Sequence, residues 1–277
     1  MFIWIKLVKP SWLDENEQAL RDRAGQDLAI ISEPSRRKSL RVEVACKSRV
    51  RAYQLVRNFG GRIEKLSGDW FERFSRAEKR KPLKIGKRLI ITDAKPQRNR
   101  GHRPRLQLII PAGMAFGTGE HATTAMSLRL LESITREMRP GWSLLDLGTG
   151  SGILALAAKC FGAARLLAID DDARAIATAK ENARVNKMEN INFRVADVRG
   201  WRPASKNDII TANLFSELLI EIVPKLRRGI RLNGRLILSG VLRNQERALR
   251  RAMRSNKLDV TEVRRRGKWI AVVGAVA

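Results

Sequence analysis

From Pro111 to the C-terminus the chain alternates short apolar runs with longer amphipathic ones, and this alternation constrains its fold more than any other feature. Ser143–Leu147 (SLLDL), Arg165–Ile169 (RLLAI), Ile191–Ala196 (INFRVA), Asp208–Ala212 (DIITA) and Arg235–Ser239 (RLILS) read as strands. Gly152–Phe161, Ala173–Asn186, Ser216–Arg228 and Asn244–Met253 read as helices between and after them. Strands separated by helices of roughly 10–15 residues need right-handed crossovers, which specify a parallel, doubly wound sheet. The pattern ends differently, because Val260–Arg264 and Trp269–Ala275 flank Arg266-Gly267, a hairpin turn. An antiparallel pair closing a doubly wound sheet gives seven strands, against the six of a dinucleotide-binding domain.

The first 67 residues are organised on another plan. Phe2–Val8 alternates like a strand, Asp14–Arg23 suits a helix, Leu28–Ser32 and Leu40–Cys46 are strand-like, Val50–Asn58 is helical and Arg62–Leu66 is a last strand. The order β-α-β-β-α-β predicts a small α+β, ferredoxin-like domain whose helices cover one sheet face and leave the other free for a partner. Between the two patterns, residues 68–110 read as a basic connector with one helix, Asp69–Lys79, and one strand, Arg88–Thr92. The expected domains are therefore 1–67, 68–110 and 111–277. Lys95–Arg105 shows no apolar periodicity and reads as a mobile basic loop.

The balance of 55 basic and 28 acidic residues gives +27, a sign suited to RNA or other anionic partners. A general preference for Arg, which supplies 38 of the 55, produces the same balance. Split by segment, the charge is +6, +9 and +12, so the 43-residue connector is the densest of the three and a weak RNA contact is expected through it. No apolar run approaches the roughly 20 residues of a bilayer span. Cys46 and Cys160 lie far apart with no metal-ligand spacing around them, so the expectation is a cytoplasmic, metal-free protein.

Four segments carry chemistry. Leu145-Asp146-Leu147-Gly148-Thr149-Gly150-Ser151-Gly152 sits where a strand meets a helix, and its glycines let backbone amides approach a ligand closely. Its spacing is G-x-G-x-G, with the acid Asp146 two positions ahead, and not the dinucleotide G-x-G-x-x-G. Asp170, at the end of the next strand, can accept both hydroxyls of an adenosine ribose, which identifies a nucleoside and not a reaction. Asp171 and Asp172 suit the start of the following helix. Asn213, in Thr211-Ala212-Asn213-Leu214-Phe215, can offer a carbonyl to a substrate amine or cap the helix at Ser216. The run from Ala115 to Thr124 (AFGTGEHATT) makes a loop able to fold over a ligand; its His121 has no identifiable catalytic partner and reads as structural or positioning.

Taken together, these segments resemble the class I S-adenosylmethionine-dependent methyltransferases, and more narrowly the ribosomal protein methyltransferases that modify large-subunit protein L-eleven. AFGTGEHATT is similar to that family's FGTG-T-H-P-TT, LDLGTGSGILALAA to its glycine loop, LLAIDDDARAIATAKENARVN to its ribose-binding unit, and ANL to its ANIL. Glu120 and Ala122 stand where the family pattern has Thr and Pro, and Phe215 where it has a small residue. The resemblance implies a seven-stranded, Rossmann-like methyltransferase domain after the small domain, with S-adenosylmethionine as methyl donor, S-adenosylhomocysteine as product and no metal. It implies cofactor contacts at Thr124, Gly148, Asp170 and Asn213, extending along the glycine loop to Gly150 and Gly152, with Phe116, Gly117 and Thr118 closing over the methionine end. It also implies that the small domain docks a ribosomal protein and presents its lysines or N-terminal amine. Asn213 is the expected catalytic residue, aligning the amine lone pair.

Two other readings share these motifs. One is an RNA or DNA base methyltransferase, which typically carries a Pro-Pro-aromatic run after the Asn or Asp; here Leu214 and Phe215 follow with no proline. The other is a noncatalytic RNA-binding module on a methyltransferase fold.

Overall fold

The computed structural model describes residues 2–24, 28–32, 39–46, 48–65, 82–93, 106–111, 119 and 121–277. The chain divides into two compact units, residues 1–79 and 80–277. The expected helix Asp69–Lys79 and the expected loop Lys95–Arg105 lie outside the described residues.

In the first unit, β1 (Phe2–Val8), α1 (Pro10–Ala24), β2 (Leu28–Ser32), β3 (Leu40–Cys46), α2 (Arg49–Phe59) and β4 (Arg62–Lys65) follow the expected order. The strands pair antiparallel in the order β2-β3-β1-β4. Pro10 stands at the first position of α1, where its missing N–H costs nothing. Ser48 caps α2 by accepting from the Arg51 N–H at 3.2 Å. Leu13, Leu20 and Ala24 of α1 and Ala52, Leu55 and Phe59 of α2 recur at helical spacing and pack on Trp4, Val42 and Val44 of the sheet. The opposite face is not left free as expected: Ile3, Ile5 and Glu43 point there and are 3%, 2% and 2% exposed. β1 carries large apolar side chains at successive positions, the pattern of a strand covered on both faces.

The second unit begins with β5 (Leu83–Ile85), β6 (Leu89–Thr92) and β7 (Leu106–Ile109), where sequence reading anticipated only one strand. β5 pairs antiparallel with β6 and β6 parallel with β7. Ile85, Leu89, Ile91 and Leu108 join the core under α3 (Ala122–Ile134), so residues expected in a connector are part of this unit's interior. Glu132 of α3 is buried, and two arginines answer it, Arg136 at 2.8 Å and Arg88 at 3.4 Å. Burial pushes its pKa up, but the hydrogen bond and charge of Arg136, the Lys87 N–H and Arg88 outweigh it, leaving the carboxyl below its ordinary range.

The remaining elements are β8 (Ser143–Leu147), α4 (Ile153–Cys160), β9 (Arg165–Asp170), α5 (Ala173–Val185), β10 (Ile191–Val195), β11 (Asn207–Asn213), α6 (Ser216–Gly229), β12 (Ile230–Leu242), α7 (Glu246–Ser255), β13 (Leu258–Arg266) and β14 (Trp269–Val276). They form one mixed seven-stranded sheet in the order β10-β9-β8-β11-β12-β14-β13, with β14 antiparallel to both of its neighbours. The closing hairpin turns at Gly267, as Arg266-Gly267 predicted. β12 runs further toward its N-terminus than the apolar run 235–239 suggested, because exposed Arg231, Leu232 and Asn233 continue the strand without alternation.

Alternation along the sheet splits the core in two. Leu144, Leu166, Ala168, Ile209 and Ile237 face α3 and α4. Leu145, Ile169, Ile210, Leu236 and Leu238 face α6 and α7. The chain thus leaves β8 toward one face and β11 toward the other, although the two strands are neighbours. In sheets of this kind such a reversal marks the crevice, between the loops at the strands' carboxyl ends, where ligands are received.

Candidate functional site

One lip of the crevice is the loop after β8. The Gly148 and Thr149 amides both donate to the Ile169 carbonyl, at 2.9 and 3.0 Å, anchoring the loop to β9. Gly148 has φ +69°, and a side-chain carbon there would fall 2.4 Å from Leu214 Cδ2, so only glycine allows the two lips to approach this closely. Gly152 has φ +80°, and its missing side chain makes room for Ala179 of α5 at 2.9 Å; its glycine serves helix packing beneath the loop. Asn182 of α5 donates to the Ser151 carbonyl at 2.8 Å and is buried, a support that sequence reading missed.

Asp146 holds the base of the loop. Thr149 and Thr211 each donate a hydroxyl hydrogen bond of 2.6 Å to its carboxylate, one to each oxygen. It is fully buried, and desolvation, with a smaller contribution from the charge of Asp170, pushes its pKa up to about 6 despite the two hydroxyls. The position of Asp146 ahead of the glycines was visible in sequence. Its partnership with Thr211 was not, since it exists only because β8 and β11 pair side by side.

Asp170 ends β9 and turns back to the same loop. Its Oδ2 accepts from the Gly150 N–H at 2.8 Å and its Oδ1 from the Asp172 N–H at 3.1 Å. Each oxygen keeps a second lone pair, the arrangement two vicinal hydroxyls require. Burial raises its pKa, partly offset by the two amides. Asp172 takes the helix-capping role expected of it, accepting from the Arg174 N–H at 2.8 Å, while Asp171 is exposed.

The other lip carries Asn213, at the end of β11. The N-cap position of α6 is Phe215, with no side-chain cap, so capping does not explain Asn213. Its side-chain N–H donates instead to Thr124 Oγ1 of α3 at 3.3 Å. With the nitrogen side engaged, the amide carbonyl is held as the acceptor for an incoming donor. The Leu214 N–H donates to the Ser239 carbonyl at 3.0 Å, fixing the turn after Asn213. His121 lies 2.7 Å from Thr123 Oγ1 through Nδ1 and meets Trp269 edge to face at 5.3 Å, contacts of a positioning residue. Phe116, Gly117 and Thr118 lie outside the described residues. The structure thus brings Thr124, Gly148, Gly150, Asp170 and Asn213 to one crevice, with Gly152 beneath it. Among the described residues no three His, Cys, Asp or Glu side chains gather as metal ligands, and no helix is long and apolar enough to cross a membrane.

The chain is similar to several known proteins. A ribosomal protein L11 methyltransferase of Pelobacter propionicus is 36% identical over 215 residues, 76% of this chain and 66% of its own. That of Symbiobacterium thermophilum is 36% identical over 197 residues, 70% of this chain and 62% of its own. The matched part therefore spans less than two thirds of these relatives. A crystal structure of ribosomal protein L11 methylase from Lactobacillus delbrueckii subsp. bulgaricus superposes with TM-score 0.62 at 28% identity, covering 70% of this chain and 98% of that one. Residues 40–276 match the family described as ribosomal protein L11 methyltransferase (PrmA), and the chain belongs to that family.

Proposed function

We propose that this protein transfers methyl groups from S-adenosylmethionine to amines of ribosomal protein L11, on lysine side chains and/or the N-terminus, and works in the cytoplasm without a metal. The observation that carries the reading is the pair of facing lips: Asp170 with an acceptor position left on each oxygen, and Asn213 with its nitrogen tied to Thr124. The cofactor fits this donor set, since its ribose needs the two oxygens of Asp170, each of which keeps an acceptor position beside its one backbone amide. When bound, S-adenosylmethionine supplies an activated methyl group on a sulfonium that leaves as a neutral thioether.

The chain's own contribution is binding, alignment and exclusion of water. Asp170 would hold the nucleoside by its hydroxyls, and the Gly148–Gly150 backbone would run beneath its methionine portion. Asn213 would accept an N–H of the neutral amine and aim its lone pair along the transfer line, which is chiefly a proximity effect. An amine with pKa near 10 must first lose a proton. His121 is engaged elsewhere, so release through water before the site closes is the route these residues support.

For the small unit, the order β4-β1-β3-β2 with both helices on one face supports the ferredoxin-like reading and a substrate-docking role. Docking would use helix α2, where Val50 and Tyr53 are 69% and 53% exposed, since Ile3, Ile5 and Glu43 at the middle of the opposite sheet face are covered. A weak RNA contact through residues 68–110 rests on their net charge of +9.

The test is incubation of the full chain with methyl-labelled S-adenosylmethionine and either purified L11 or a cell extract, with and without RNase. Label on L11 is expected. Label that disappears with RNase would transfer the reading to a nucleic-acid methylase, and no label at all to a noncatalytic module.

A further inference from the structure

After the basic residues 80–110, the rest of the second unit carries most of its excess charge in one place. Residues 243–268 contain ten basic and three acidic residues, a net +7, whereas residues 111–242 sum to only +5. Arg243, Arg247, Arg250, Arg251 and Arg254 are all exposed. They recur at intervals of three, four and seven residues, so they form one stripe along α7 and the turn before it, about one guanidinium per 5.4 Å helical turn. Together with Asn244 they line a single shallow groove. Glu246 pairs with Arg250, in the middle of the stripe, at 2.9 Å and also takes Arg265 of the β13–β14 hairpin at 2.7 Å. Arg247, Arg251 and Arg254 make no ion pair among the described residues. The Arg265–Glu246 pair brings the tip of the β13–β14 hairpin to the beginning of α7, and exposed Arg266 beside it extends the field.

We propose that this arginine stripe is a docking surface for the phosphate backbone of RNA. Three occupants compete for a basic helix. A membrane surface needs an apolar face to insert, but α7 spends its apolar residues Leu249 and Met253 on the core, where both are completely buried. A protein partner needs an apolar centre to its interface, and no large hydrophobic side chain is exposed anywhere between 243 and 268. A regularly repeated anion needs only regularly repeated donors, and a guanidinium fork pairs a phosphate with two hydrogen bonds.

The stripe also has a defined relation to the crevice. β12 runs parallel to β11 and ends at Leu242, so the stripe starts on the crevice side of the sheet and α7 then leads away from it. Gln245 donates to Glu217 at 3.1 Å, tying this beginning to the first turn of α6, just after Asn213 and Phe215. RNA on the stripe lies beside the methyl-transfer site and not in it.

The experiment measures anisotropy of a fluorescein-labelled single-stranded RNA with the full chain, over about 50–200 mM salt. The triple substitution Arg247→Gln, Arg251→Gln and Arg254→Gln is expected to weaken binding at least about tenfold and to reduce the slope of log affinity against log salt by about 2. The comparison variant, Arg139→Gln, Arg165→Gln and Lys206→Gln, removes the same charge from exposed positions near the opposite, amino ends of the strands. It should leave the slope unchanged. Equal losses in both variants, or undiminished binding in the first, would overturn the proposal. So would phosphatidylserine vesicles that bind the unaltered chain and lose it in the first variant while RNA binding persists. Thermal unfolding and S-adenosylhomocysteine binding of each variant verify the fold, and neither readout depends on methyl transfer.

Discussion

The carboxylate of Asp170 receives the backbone N–H of Gly150 at 2.8 Å, so the residue that ends β9 also shapes the glycine loop that follows β8. One side chain therefore positions the loop and, in the proposed function, would present its remaining lone pairs to the nucleoside. Asp170→Ala should weaken S-adenosylhomocysteine binding about 30-fold or more, from the loss of charge-assisted hydrogen bonds worth ~1.5–3 kcal/mol each. Titration calorimetry reads this directly, and an unchanged affinity would remove Asp170 from the nucleoside site.

In the proposed function, Asn213 would act on the other partner of the reaction. Asn213→Ala should lower kcat about 100-fold while changing cofactor affinity only a few-fold, as expected for a group that aligns the amine. Thr124→Val releases the amide that Thr124 now holds, and its kcat should fall less, about tenfold. Single-turnover methylation of purified L11 separates the two. Equal losses in cofactor binding and turnover would argue that Asn213 serves only the cofactor.

Asp146 predicts a pH dependence of stability. Its carboxyl has a pKa of about 6 in the fold, above the ordinary 3.8. Stability from this group is fully present below pH 3.8 and is lost as pH rises through 6, by about 3 kcal/mol in all. Glu132, Asp208 and Glu246 shift the other way and lose stability as pH falls toward and below their ordinary values. The interval between pH 5 and 7 therefore isolates Asp146 from those three. Asp146→Asn should flatten the decline of Tm with pH across it; a parallel curve would show that the two threonines keep the carboxylate ionised in the fold.

Gly148→Ala tests the closeness of the two lips. The added carbon meets Leu214 at 2.4 Å and the backbone has φ +69°, so a loss of about 2–4 kcal/mol is expected from overpacking and strain together. The double variant with Leu214→Ala removes the clash but not the backbone strain, and should regain part of the loss. Urea denaturation measures both, and full additivity would mean that the clash is relieved some other way.

Much of this architecture was legible in the sequence because periodicity and local chemistry report on single elements. The strand-helix alternation after Pro111, the turn at Arg266-Gly267, the glycine loop and the cap at Asp172 all depend on residues close together in the chain. Leu83–Ile85 and Leu106–Ile109 escaped notice because strands of three and four residues carry too few alternations among so many cations. The buried second face of β1 escaped for the opposite reason: Ile3 and Ile5 were read as strand formers, and a strand pattern does not say what covers it.

The role of Asn213 marks the boundary. Sequence alone left it between a helix cap and a substrate acceptor, since both uses suit an Asn between a strand and a helix. The structure removes the cap, because Phe215 takes the N-cap position and Thr124, 89 residues earlier, receives the amide at 3.3 Å. The sequence by itself determined which elements form and which residue types stand at their ends, because backbone preference and side-chain spacing are local. Only the tertiary structure decided which ends meet. Strand order is set by burying both faces of one sheet at once, and that packing brings Asp146 against Thr211 and holds Asn213 against Thr124.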